Sequence, residues 1–266
     1  MLKLYTEKGN KEKIAAIIAE MKKYKGIRMK PGQFGEDNRQ WFVDKENQTI
    51  SQSLSSIKFI SPQVAEDLHK ASSVHFSSFV DLLRYLQTDT CINSRQIEVL
   101  IGVGYFSPFG NRQKLISLYE EFRNGKNKLT KTLVDKTVTK RIEALKNMEM
   151  SIPNEDTSIC HQLFCENENI GLCLTVNDDA PSNMYFVLSV ETTYGIKARL
   201  YNVKRGTTGI VKISKKTFEE QPFEANQCIV IDNGSQRPRF LFQNGKRVPI
   251  PGEQEYWMTN YHVENR

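Results

Sequence analysis

INSRQIEVLIGVGYFSPFGNRQKL, residues 92–115, is the stretch on which the reading of this chain turns. Ile92, Ile97, Leu100 and Ile101 recur at helical spacing and run into Gly102-Val103-Gly104. Beyond Tyr105, Phe106 and Phe109, a second helix restarts behind Gly110-Asn111-Arg112. Two glycines around one apolar residue let a backbone turn tightly and leave its N–H groups uncovered. A helix that begins just afterwards aims its own unpaired N–H groups the same way, which suits an anion such as phosphate.

Helix, glycine turn, helix is the outline of a helix-hairpin-helix element, which grips a nucleic-acid backbone without reading its sequence. The same outline fits an ordinary turn between two helices. On the functional reading, the amides of Gly102, Val103, Gly104 and Tyr105 carry the grip. Arg95, Asn111, Arg112 and Lys114 support it, and Lys58 does so from a first, upstream hairpin.

Five stretches together resemble, in order and spacing, the alpha subunit of bacterial DNA polymerase III, the C-family replicative polymerases. Residues 9–15 (GNKEKIA) with 24–28 (YKGIR) are similar to the family's GNxKIA helix and its exit. Met29-Lys30-Pro31 matches the start of its PPDIN segment, whose later positions are degenerate here. Residues 53–58 (SLSSIK) match GLxxIK, and residues 76–83 (FSSFVDLL) match FxSFxD. The opening stretch is similar to INKRxLExLIxAGAFDSFGNR. The resemblance implies a divergent, phage-like C-terminal portion of such a polymerase. It would bind duplex primer-template DNA, and through its β half single-stranded template, in the cytoplasm. Its partners would be the catalytic part of the polymerase and a sliding clamp.

One departure stands out. Where the family's first hairpin continues Gly-Val-Gly, this chain has Phe59-Ile60-Ser61, then Pro62. Phe takes a positive φ at a cost, and its ring obstructs close approach of a phosphate. Pro62 still suits the first turn of a following helix. The hairpin fold is expected to persist with a weakened grip, so hairpin two is the stronger candidate.

At 266 residues the chain has room for two or three small domains. Its net charge of +6 agrees with nucleic-acid contact without requiring it. Five irregularly spaced cysteines read as reduced thiols of a cytosolic protein. Cys160, His161, Cys165 and Cys173 lack a Cys-x-x-Cys pair, so no metal is expected there. No apolar run approaches the roughly 20 residues of a membrane span.

Residues 10–25 read as an amphipathic helix and 126–150 as another, the latter bearing Lys126, Lys128, Lys131, Lys136, Lys140, Arg141 and Lys146. That second helix reads either as a solvated connector or as a face that tracks phosphates. Further helices are expected at 62–71, 77–87, 92–101, 111–123 and 155–169. Glu166-x-Glu168-x-x-Gly171 is similar to a helix that follows the hairpins in the family. Within it, Gln162-Leu163-Phe164 faintly resembles the family's clamp-binding pattern and equally fits the apolar face of a helix.

From Leu172 the pattern turns to short alternating strands at 185–188, 197–201, 209–213, 228–231 and 239–242. Turns are expected at Tyr194-Gly195, Arg205-Gly206, Asn233-Gly234 and Asn244-Gly245. With a helical step near 216–220, five strands point to a small OB-like barrel. Gly195 to Phe218 contains no acid but holds Lys197, Arg199, Lys204, Arg205, Lys215 and Lys216, with Tyr201 placed to stack a base. Edge-protecting lysines and a packed tyrosine would give the same pattern.

The expected architecture is thus α+β: the end of a fingers-like region (1–52), tandem helix-hairpin-helix elements (53–125), connecting helices (126–171) and an OB-like β domain (172–266). A polymerase active site needs closely set aspartates holding two metals. Asp178-Asp179 lies in a loop and no Asp-x-Asp falls on a strand, so no catalytic residue and no cofactor are assigned to this chain. A rival reading is a protein–protein adaptor that docks a clamp or another replisome subunit.

Overall fold

The computed structural model describes Ile14, Ile17, Ile18, Glu20, Met21, residues 26–243 and residues 246–264, apart from the side chains of Phe242 and Arg247. Most of the expected helix 10–25 and the expected Asn244-Gly245 turn lie outside the described residues. The chain divides into two compact units, Met1–Ser158 with Glu168–Leu172, and Ile159–Asn167 with Cys173–Arg266.

In the first unit a small sheet, β1 (Arg28–Lys30), β2 (Phe42–Asp44) and β3 (Thr49–Ser51), has the order β1-β3-β2. Helices follow: α1 (Pro62–Ser72), α2 (Phe79–Asp89), α3 (Ser94–Gly102), α4 (Arg112–Asn124) and α5 (Asp135–Ser151). Each of the first three begins on a side chain that accepts from a backbone N–H of the opening turn: Ser61 from Val64, Ser78 from Asp81, and Asn93 from Gln96. Gln96 returns the bond to Asn93, closing a capping box.

The apolar stripes converge on one core containing Leu68, Phe79, Leu83, Leu100, Phe106 and Leu118. Fully burying one such leucine contributes about 2 kcal/mol. The start of α2 is held from α5, where the buried Glu149 carboxylate accepts from Phe79 N at 2.8 Å and Val80 N at 3.3 Å. A carboxylate satisfies both the free N–H groups and the positive end of the helix dipole.

The helix expected over 126–150 begins only at Asp135. Residues 126–134 form a loop because its carbonyls are taken by side chains of the neighbouring helices. Gln87 Nε2 donates to Leu129 O, Arg84 Nη1 to Thr130 O, and Arg141 Nη1 to Lys128 O.

The second unit contains a closed barrel of β4 (Met184–Glu191), β5 (Ile196–Asn202), β6 (Thr207–Ile213), β7 (Cys228–Gln243) and β8 (Lys246–Val263), ordered β4-β5-β6-β8-β7. Only β6 and β8 pair in parallel. A short helix, Lys215–Glu220, links β6 to β7. Five strands, closure and that helical link give the OB-like domain, and closure removes the exposed edges of an open sheet.

Two strand assignments differ from the sequence reading. Asn233-Gly234 is no turn; it lies within β7, at irregularities in the pairing with β8. Gly234 is needed because a Cβ there would come within 2.3 Å of the Tyr256 hydroxyl. Residues 239–242 therefore continue the fourth barrel strand, and the fifth is β8, whose Pro249, Pro251 and Gly252 disguise it. Beyond Val230 and before Tyr256 these two strands pair with each other alone. They form a ribbon roughly 25–30 Å long at about 3.3 Å per residue.

Candidate nucleic-acid interface

Hairpin one joins the turn Leu54–Ser56 to α1. Phe59 adopts φ 68°, the conformation that a glycine would take without strain, so the hairpin turn forms with a phenylalanine at its crest. Gln96 Nε2 donates to Phe59 O at 2.8 Å and steadies the crest from α3. The Phe59 ring is 55% exposed, and the Arg95 guanidinium lies 5.3 Å from its centroid. A half-exposed aromatic ring therefore stands where a phosphate would have to approach. Lys58 faces Glu168 at 3.5 Å and Arg95 faces Glu98 at 3.9 Å.

Hairpin two has the expected shape, with Gly104 at φ 81°. Its amides are already occupied. Val103 N donates to Val99 O, Gly104 N to Ile101 O and Tyr105 N to Leu100 O. Tyr105 is a core residue: its ring packs edge-on against Phe34 at 6.1 Å, and its carbonyl accepts from Phe34 N at 2.8 Å. The amides proposed as a phosphate grip at Val103, Gly104 and Tyr105 are thus spent on closing α3, which corrects that part of the sequence reading.

The basic side chain beside them is also engaged. Arg112 folds over the hairpin, where Nε donates to Gly102 O at 3.1 Å and Nη1 meets Asp156 Oδ2 at 3.1 Å. Gly104 makes room for it, since a Cβ there would lie 2.9 Å from the guanidinium. The loop after α5 covers the start of α4. Asn111 N donates to Asn154 Oδ1 at 2.7 Å, Asn111 Nδ2 to Asn154 O at 2.9 Å, and Arg112 N to Asp156 Oδ1 at 3.3 Å. A carboxylate and an amide oxygen thereby sit where an anion would bind a helix N-terminus. The N–H groups of Gln113 and Lys114, the rest of that first turn, find no acceptor among the described residues. No local motif marks Asn154 or Asp156, and the sequence reading missed both.

The comparison with known families speaks to this region alone. Residues 34–115 match the family model described as a helix-hairpin-helix motif. No curated protein matches the chain at a significant level. The helix-hairpin-helix match spans both hairpins and is consistent with a DNA-binding domain.

In the barrel unit the expected single-strand face is only partly assembled. β5 and β6 meet in a hairpin at Lys204-Arg205-Gly206, where Gly206 takes φ 65° and Arg205 N donates to Asn202 Oδ1. Lys204, Arg205, Lys215 and Lys216 are exposed, and Lys197 and Arg199 half-buried. Lys197 faces Glu191 at 3.6 Å and Lys215 faces Glu219 at 3.6 Å.

Tyr201 does not join them. It is buried against Cys160, Leu163 and Phe186, and its hydroxyl donates to Thr175 O at 2.9 Å. The helical segment Ile159–Asn167 covers the barrel wall at that end, so the tyrosine that alternation assigned to the open face is a wall residue. Burial raises its pKa far above the usual phenol value. Within Gln162-Leu163-Phe164, Leu163 is fully buried in that same cluster. Cys165 Sγ lies 3.6 Å from His161 Nε2 while Cys173 donates to Leu163 O. Among the described residues no three His, Cys, Asp or Glu groups converge as a metal site would need. No helix among them is long and apolar enough to cross a membrane.

Proposed function

We propose that this chain is the DNA-holding C-terminal portion of a C-family replicative DNA polymerase, with the chemistry carried by another part of that polymerase. What supports the reading is the pair of hairpins spanned by the helix-hairpin-helix match, followed in the chain by an OB-like barrel. Duplex primer-template would be held through phosphates, so binding would be independent of sequence and steeply dependent on salt. Lys114 and the open N–H groups of Gln113 and Lys114 are the contacts that remain available at hairpin two. Single-stranded template would meet Lys204, Arg205 and Lys216 of the barrel, without Tyr201. Free thiols at all five cysteines fit a reducing, cytoplasmic setting.

The test is affinity for random-sequence duplex at two salt concentrations. Tight binding at low salt that falls steeply with added salt is expected. A flat dependence, or no binding at low salt, refutes the reading.

A second reading has one observation in its favour: hairpin one carries a ring at its crest and hairpin two carries Asp156 on its helix start. A protein–protein adaptor docking a sliding clamp needs neither site to be open. Co-sedimentation with a sliding clamp, together with duplex binding that ignores Gly104→Val, would favour it.

A further inference from the structure

Many basic side chains of the first unit are drawn into ion pairs. Lys58 faces Glu168, Arg95 and Arg123 face Glu98, Arg112 faces Asp156, Lys146 faces Asp81, and Arg39 faces Asp37 and Glu66. Most cations at the two hairpins, Lys114 excepted, therefore face a carboxylate, which weakens the field a polyanion meets there. Lys126, Lys128, Lys131, Lys136 and Lys140 differ: all five are exposed, and none forms an ion pair among the described residues. The acids of this stretch, Asp135 and Glu143, are exposed and bridge to none of them.

The scaffold beneath these lysines is ordered. Arg84, Gln87 and Arg141 each donate to a carbonyl of the loop at Thr130, Leu129 and Lys128, and Leu129 is buried in the core. The Arg141 bond, 2.6 Å long, brings the loop at Lys128 against α5 beside Lys140. Lys136 and Lys140, four residues apart, share one face of that helix. The result is a platform of like charges on an ordered scaffold; the neighbouring Glu121 carboxylate accepts from Asn127 N at 2.8 Å and forms no ion pair with the five lysines. Like charges held together are unfavourable by themselves and are relieved by an anionic partner.

We propose that this platform, loop 126–131 with Lys136 and Lys140 of α5, is a nucleic-acid backbone contact that carries much of the electrostatic hold on DNA. The inference rests on the proposed function and assigns its salt-dependent part to residues outside both hairpins. Nucleic acid is favoured over an acidic protein because the five amines, with Val134 as the one large exposed apolar side chain of the stretch, present mainly charge, as phosphate tracking requires.

Each neutralised phosphate changes the slope of log affinity against log salt by about 0.9. Removing three contacts with Lys128→Gln/Lys131→Gln/Lys136→Gln should make the slope shallower by about 2.7. The loss of affinity between about 50 and 200 mM salt should then shrink about 40-fold relative to the unaltered chain. The full chain is measured by fluorescence anisotropy against duplex and single-stranded oligonucleotides of random sequence, with circular dichroism as the check on folding. A loss confined to one arm identifies the strand form that the platform holds.

If the unaltered chain binds with a steep slope and the triple variant retains both slope and affinity, the platform is a solvated face. The inference then falls while the proposed function stands. If the unaltered chain binds no oligonucleotide at low salt, the proposed function falls and this inference with it. Equal binding to poly-glutamate at matched salt, abolished by the same three substitutions, overturns the nucleic-acid assignment in favour of an acidic protein.

Discussion

Replacing Asp156 by alanine should loosen the fold slightly and tighten binding to duplex DNA. The carboxylate accepts from Arg112 N at 3.3 Å and meets Arg112 Nη1 at 3.1 Å. A charge-assisted hydrogen bond contributes about 1.5–3 kcal/mol in a dry setting. Here the arginine side chain is 13% exposed and the aspartate 35%, so solvent screening reduces the pair to about 1–2 kcal/mol. A phosphate that engages the start of α4 must first displace this carboxylate and so loses the same amount. Removing the carboxylate removes that penalty, which corresponds to about a 5- to 30-fold gain in affinity. The freed guanidinium would add one phosphate contact and steepen the salt slope by about 0.9. The assay is anisotropy titration of a labelled random duplex at three salt concentrations, with thermal unfolding followed in parallel. Asp156→Ala with Arg112→Gln should return affinity to that of the unaltered chain or below. A variant that melts earlier but binds DNA no better would refute the reasoning, because the carboxylate would then be only a clasp for Arg112.

Two further outcomes follow from geometry elsewhere. Burial by itself would raise the pKa of Asp81, but bonds from Lys146 at 2.7 Å, Ser77 at 2.8 Å and Ser78 at 2.9 Å outweigh it and hold the group below its ordinary 3.8. A depressed carboxylate stabilises the fold fully above its unfolded value and loses that contribution as pH falls through its folded value. Lys146→Ala should therefore reduce stability at neutral pH and flatten the acid limb of a stability–pH curve below about pH 4; an unchanged acid limb would show that the bridge is not what shifts Asp81. Replacing Pro238–Gln254 by Asn-Gly should leave the barrel folded, with a melting temperature within about 2 °C, because the ribbon strands pair only with each other there. Loss of the near-ultraviolet circular dichroism signal would show that the ribbon supports the barrel.

Much of this architecture is legible along the chain because it is built from local signals. The caps at Ser61, Ser78 and Asn93, Pro62 in the first turn of α1, and the stripe through Ile97, Leu100 and Ile101 announce their helices within a few residues. The Lys204-Arg205-Gly206 turn and the alternation of Ala198 and Leu200 announce the β5–β6 hairpin in the same way. Even Phe59 is read correctly as a strained but tolerated crest.

Tertiary structure alone decided what those elements leave open. Asp156 reaches Arg112 across more than forty residues, and Arg84, Gln87 and Arg141 turn an expected helix into the loop that carries the lysines. A helical segment covers Tyr201, and Tyr256 requires Gly234 inside a strand rather than at a turn. In each case the deciding partner is distant in sequence, and a hydrogen-bonding or close-packing demand set by the folded neighbours overrides the local preference.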